Sequence, residues 1–230
     1  MSLAFIAGSN LLEHPPFHGA RAERVDTPFG EALIHRGEGW SLVLRHGPDG
    51  VISPHRINHR ANIAALQQLG HTRIVSFCSV GGLRPDVTRV DTLIVPDDFI
   101  NLSPVYTLFD EDPPYATPVL SEALRRQLSA VLAELGEDFV DGGVYWHSPG
   151  PRLETRAEVR LIAHFADIVG MTFGHEATLC AEAGLEIAAV CMVDNLAHGL
   201  ADEPLRASDI LRRKAEQGRR FADVARLMLR

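Results

Sequence analysis

Lysine is almost missing from this chain of 230 residues: of its 22 basic side chains only Lys214 is a lysine. A Schiff-base lysine or a phosphate-loop lysine would have to be that residue, and no glycine-rich loop surrounds it. Cysteine is scarce as well. Cys78, Cys180 and Cys191 are scattered and odd in number, which fits neither a zinc site nor a disulfide framework and points to a reducing interior. No run approaches the roughly 18 apolar residues of a membrane helix. The short apolar N-terminus turns polar at Ser9-Asn10 and carries no basic leader region, so the expected setting is soluble and cytoplasmic. Positive charge is also in deficit: 30 acidic residues against 22 basic ones give a formal charge of −8. Nucleic acid and anionic membranes are poor partners for such a chain, although a local basic pocket is still allowed. The nucleophile-elbow, zinc-protease and dinucleotide fingerprints are all absent, and His55, His59 and His175 lack regular metal spacing, so no metal site is expected.

What is present is ordinary globular composition, 46% hydrophobic and 23% charged, with no repeat or composition shift, so residues 1–230 are read as one domain. Short apolar runs alternate with helical patterns, which predicts α/β architecture around a largely buried sheet. The expected strands are Leu3–Ala7, Ser41–Arg45, Arg73–Cys78, Thr92–Val95, Gly143–His147, Asp167–Met171 and Glu186–Val193. Ser121 is placed to cap a helix with Leu124, Leu128, Val131, Leu132 and Leu135 on one face and Gly136 at its end. Thr155 and Glu158 form a capping-box pattern opening a helix to about His164. Further helices fit Ile57–Leu69, ended by Gly70, and Glu176–Ala183, ended by Gly184. A closing amphipathic helix would be capped by Ser208, with Leu211, Ala215, Val224 and Met228 inward. The Pro- and Asp-rich stretch Asp97–Pro118 reads as a long loop, of a length that is usually functional or interfacial.

In open α/β sheets functional residues gather beyond the C-terminal ends of strands. Read in order, those ends carry Gly8-Ser9-Asn10, Arg45-His46-Gly47, Ser79-Val80-Gly81-Gly82, Ser148 through Glu154, Met171-Thr172 and Asp194-Asn195. One part of this set has small hydroxyls, glycine turns rich in N–H groups and an Arg-His pair, the means of cradling an oxyanion. The other has a carboxylate beside amide and acid side chains, suited to reading the edge of a flat heterocycle. Singly each has a plain structural explanation: a glycine turn, a surface ion pair, an acid in a first helical turn, an Asn ending a strand.

Their order along the chain is more specific. "AGSNL", "TPFGEA", "RHG", "PHRINHRANIAALQQLG", "SVGGL", "GPRLETRAEVR", "DIVGMTFGHEATLCAEAGL" and "VDNLAHG" together resemble the purine nucleoside phosphorylase and methylthioadenosine phosphorylase family, and within it the bacterial methylthioinosine or 6-oxopurine branch. The resemblance runs from about residue 3 to 199, with a weaker match through the final helix. It implies a mixed, partly closed β-sheet flanked by helices, and transfer of a ribosyl group from a purine nucleoside to inorganic phosphate. Phosphate is then a co-substrate, and neither a metal nor an organic cofactor is implied.

By motif position the resemblance gives phosphate to Ser9, Arg45, His46, Ser79 and Thr172. Purine and ribose fall to Val80, Leu153, Glu154, Met171, Asp194 and Asn195, with Met171 under the sugar. Glu154 matches the acid that accepts N1–H of a 6-oxopurine, and Asn195 the residue facing N7 and the 6-substituent; these two are the catalytic pair. The Glu154/Asn195 pair favours hypoxanthine or guanine over adenine, whereas Asp194, if it faced the base instead, would keep adenine in play. Where some relatives place a histidine for the ribose 5′-hydroxyl, Leu205 and Ala207 offer an apolar lining that suits a methylthio group. The chain departs from the family pattern at Asn10, at Gly50, at Leu153 and at Phe173-Gly174-His175. Two rivals accompany this reading: methylthioadenosine phosphorylase proper, and a purine-binding homologue that lost efficient chemistry. A homotrimer is also implied, with Tyr106, Phe109 or Tyr115 reaching a neighbour's pocket.

Overall fold

The computed structural model describes residues 2–8, 11–104, 106–201 and 207–230, the last segment without the side chains of 207–215. Ser9, Asn10 and Leu205 lie outside the described residues, as do the side chains of Ala207, Leu211 and Ala215.

The chain builds one branched mixed sheet. Its first arm begins with β1 (Ser2–Ala7), the antiparallel run β2 (Arg21–Thr27), β3 (Gly30–Gly37) and β4 (Trp40–Leu44), and then α1 (His59–Gln68). The long β5 (His71–Gly82) follows, then β6 (Leu93–Val95), β7 (Asp98–Asn101), α2 (Glu122–Glu134), β8 (Phe139–Asp141) and β9 (Val144–His147). Last come α3 (Arg156–Ile162), β10 (Ile168–Gly170), α4 (Phe173–Glu182), β11 (Glu186–Leu196) and α5 (Ala207–Met228). The strand order is β2-β3-β4-β1-β5-β10-β9-β7, and β11, β6 and β8 branch from β5. β5 runs parallel to β1 through Phe77 and parallel to β11 through Gly82, and it meets β10 antiparallel at Gly81 and Gly82. The site forms at this fork.

Strand periodicity explains why the sheet is covered on both sides. Ala4 and Ile6 of β1, with Ile74 and Cys78 of β5, pack into a core shared with α1 and α4. The alternate residues Leu3, Phe5 and Ala7, with Val75 and Phe77, pack into a second core under α2 and α5. A smaller cluster sets Val159 and Ile162 of α3 against Leu83, Val169 and Ala197. Among the described residues no helix is long and apolar enough to cross a membrane.

Several expectations need correction. β2 and β3 have no counterpart in the sequence reading, because β2 is an exposed polar edge with no apolar face to announce it. β7 lies inside the stretch read as loop, and β8 is only three residues long. β5 continues past Cys78 to Gly82, so Ser79 and Val80 are strand residues. α4 starts at Phe173, ahead of the expected Glu176, because Phe173, Gly174 and His175 are all buried and the turn is held by the core. α5 begins at Ala207, which places Ser208 within the helix and not before it. The caps fare well: Ser121 Oγ accepts from Leu124 N, Thr155 and Glu158 form the full capping box, and Gly70, Gly136 and Gly184 take positive φ.

Candidate active site

A cavity of about 1020 Å³ opens over the fork, and every described residue expected in the site lines it: Arg45, His46, Ser79, Val80, Leu153, Glu154, Met171, Thr172, Asp194 and Asn195. These come from five separate stretches of chain, brought together because β4, β5, β10, β11 and the segment between β9 and α3 all deliver residues toward this cavity, with Gly8 after β1 beside them.

At one end sits Arg45, buried and with most of its donors engaged. Its Nε and Nη2 reach the two carboxylate oxygens of Glu176 at 2.7 and 3.2 Å, and Nη2 also donates to Ser76 Oγ at 2.8 Å. Nη1 gives one of its two N–H groups to the Phe77 carbonyl at 2.8 Å. Burial alone would lower the Arg45 pKa, but the Glu176 charge outweighs it and holds the guanidinium above its ordinary value. Burial would raise Glu176, and Arg45 with His59 pulls it below the usual carboxylate range. Both shifts agree that the pair is ionised. An anion here therefore meets a neutralised ion pair through the second Nη1 N–H. A Cβ at Gly8 would stand 3.1 Å from Nη1, so glycine keeps that nitrogen uncovered. His46 Nδ1 lies 2.6 Å from the Ile52 carbonyl, which fixes its ring. Thr172 is the N-cap residue of α4 yet makes no side-chain cap bond, so its hydroxyl stands at the positive end of a helix.

Ser79 behaves differently from a free anion-binding hydroxyl. Its Oγ donates to Asp194 Oδ2, and Asp194 Oδ1 accepts from Gln217 Nε2 of α5 at 3.1 Å. Asp194 is thus engaged with Ser79 and the closing helix.

The other end holds Glu154, 8% exposed, whose Oε1 is sealed from solvent and has no hydrogen-bond partner. Such a group normally finds a partner, since a buried carboxylate without one costs several kcal/mol. Asn195 Nδ2 donates to the Leu196 carbonyl at 2.8 Å, so its Oδ1 is the atom left to accept from a ligand. The register between β11 and β5 shifts between Val193 and Asn195, a bulge with Asp194 as the extra residue. Consecutive strand residues normally face opposite sides; the bulge brings both Asp194 and Asn195 to the cavity. Met171 is wedged by the "GPRLET" loop: Gly150 has φ +60°, and a Cβ there would fall 2.6 Å from Met171 Sδ. Leu153 lines the mouth and is 57% exposed, so this chain alone does not close over it.

Sequence reasoning missed Glu176, Gln217 and His198. Glu176 had a legible signal, an acid within the otherwise apolar turn "FGHEATLC", which demands a buried cation. Gln217 had none, since nothing local marks which face of α5 meets the site, and His198 falls within "VDNLAHG" without any role being given to it. Among the described residues no group of three or more His, Cys, Asp or Glu side chains is arranged to hold a metal ion.

With this geometry in place, comparison with known proteins gives the family. Residues 3–230 match the model of the phosphorylase superfamily, and the chain belongs to that superfamily. It is 37% identical over 222 residues to a probable 6-oxopurine nucleoside phosphorylase of Archaeoglobus fulgidus, covering 94% of this chain and 91% of the relative. It is 34% identical over 216 residues to a probable S-methyl-5′-thioinosine phosphorylase of Xanthomonas campestris, covering 88% and 86%. The fold matches a solved structure of methylthioadenosine phosphorylase from Schistosoma mansoni in complex with adenine, with TM-score 0.86, 22% identity, and coverage of 99% of this chain and 90% of that one.

Proposed function

We infer that the chain is a purine nucleoside phosphorylase and that it prefers 6-oxopurines. Phosphate attacks C1′ of the nucleoside, the C1′–N9 bond breaks, and its electron pair flows into the purine. The phosphate hydrogen is balanced by the hydrogen gained at N7 of the released base, so the products are a sugar 1-phosphate and a neutral purine. Arg45 Nη1, the Thr172 hydroxyl and the N-terminus of α4 hold the nucleophile, and His46 borders it. Asn195 Oδ1 accepts N7–H as charge develops on the departing base. Ser9 completes the expected phosphate set.

The observation that carries this reading is Glu154, a carboxylate in the cavity wall whose Oε1 has no hydrogen-bond partner in the protein. A 6-oxopurine supplies the missing donor, N1–H, whereas adenine has a bare N1 that would set lone pair against carboxylate. Asp194, the residue that could have read a 6-amino group, is held by Ser79 and Gln217 instead. A trimer in which a neighbour shields the exposed Leu153 completes the proposal. In the long loop Tyr106 packs on His175 at 4.4 Å between ring centroids, while Tyr115 is 91% exposed and is the better candidate to reach a neighbour. The three cysteines are free and buried, which goes with a reducing, cytoplasmic setting. The test is a panel of inosine, methylthioinosine and methylthioadenosine with phosphate in excess. Faster cleavage of the two 6-oxopurine nucleosides is expected; turnover of methylthioadenosine alone would overturn the base assignment.

A further inference from the structure

His198 lies in the turn after β11 and lines the cavity beside Glu154. Its Nδ1 is 3.2 Å from the backbone carbonyl of Glu154. A carbonyl oxygen only accepts, so Nδ1 carries the hydrogen, and in the neutral ring the lone pair is on Nε2. The segments that carry them are held by backbone contacts, although the His198 residue itself is exposed. Ala197 N donates to the Gly82 carbonyl at 2.8 Å and Leu200 N closes the turn on Ala197 O at 3.0 Å, while Glu154 immediately precedes the capping box of α3. The base end of the cavity therefore offers acceptors from two neighbouring residues, the Glu154 carboxylate and the His198 ring.

Among 6-oxopurines, hypoxanthine presents one donor to that wall, N1–H. Guanine presents N1–H and an adjacent amino group with two hydrogens. The two oxygens of a carboxylate satisfy N1–H and one amino hydrogen, which leaves the second amino hydrogen in need of an acceptor. We propose that His198 is a specificity-determining residue that accepts this second amino hydrogen and so selects guanine nucleosides over inosine. The proposal rests on the 6-oxopurine reading of Glu154 and Asn195.

The experiment compares kcat/KM for guanosine and inosine, or for their 5′-methylthio counterparts if those turn over faster, at pH 8. Wild type, His198→Ala and His198→Gln are assayed together. Wild type is expected to favour guanosine, and His198→Ala to lose roughly 5- to 10-fold on guanosine while inosine changes less than about 2-fold, the scale of one neutral hydrogen bond. His198→Gln retains an acceptor and should recover most of the guanosine rate. A guanosine-to-inosine ratio unchanged in His198→Ala would overturn the proposal, and so would an equal fall on both substrates, which would mean that His198 only holds the Glu154 loop. A wild type inert toward both nucleosides but active on methylthioadenosine would overturn the underlying 6-oxopurine reading as well.

Discussion

Glu154 and Asn195 are two side chains whose open valences face one cavity, and each gives a separable prediction. Glu154→Gln replaces a carboxylate whose Oε1 has no protein partner with a neutral amide. Loss of a charge-assisted hydrogen bond worth about 1.5–3 kcal/mol should lower kcat/KM on 6-oxopurine nucleosides by roughly 10- to 100-fold. The melting temperature should hold or rise, because Oε1 has no protein partner to lose; a large drop would mean that the carboxylate has a structural partner. Asn195→Asp should move preference toward 6-aminopurine nucleosides, read from the ratio of kcat/KM for methylthioadenosine and methylthioinosine. An unchanged ratio would mean that Asn195 does not touch the base. Both residues were legible in the sequence because they sit in distinctive motifs. The role of Asp194 was not, since only the bulge between Val193 and Asn195 and the contact with Gln217 determine what it does.

At the scale of elements, the proposed anion end depends on α4 and the end of β4 being tied together by Arg45 and Glu176, both almost fully buried. Glu176→Ala leaves an uncompensated guanidinium in the core, and unfolding in urea should show a loss of about 3–5 kcal/mol, the usual cost of breaking a buried pair. A loss below about 1 kcal/mol would show that water reaches Arg45. The elements that sequence patterning caught are those with an apolar stripe and a cap, as in α2 with Ser121 and α3 with its capping box. Those it missed are a polar edge, β2, with its hairpin partner β3, and three- or four-residue strands, β7 and β8, whose pairing partners are remote in sequence. β5 was read short because Ser79, Gly81 and Gly82 look like a turn, although pairing with β10 and β11 keeps them extended.

For the whole molecule, a group of buried histidines sets a stability profile against pH. Burial, reinforced by His175 and His59, lowers the His147 pKa to about 2; burial lowers His59 and His175 to about 4. In the unfolded chain each titrates near 6.5. The unfolded state therefore binds more protons throughout the interval between, and stability falls as pH drops from about 6.5 toward 4. Thermal unfolding from pH 8 to 4.5 should show a melting temperature that is flat above about 7 and declines below it. His147→Leu, which removes two buried ring nitrogens without partners, should make that decline shallower. An equally steep decline in the variant would assign the acid sensitivity to other groups.

The central claim is that this cavity brings phosphate and a purine nucleoside together for displacement at C1′. The most direct measurement is base release from inosine or methylthioinosine with and without inorganic phosphate, with the sugar product identified. Release that requires phosphate and yields one sugar 1-phosphate per base is the predicted result. Equal release without phosphate and a free sugar as product, or nucleoside binding with no phosphate-stimulated turnover, would contradict it.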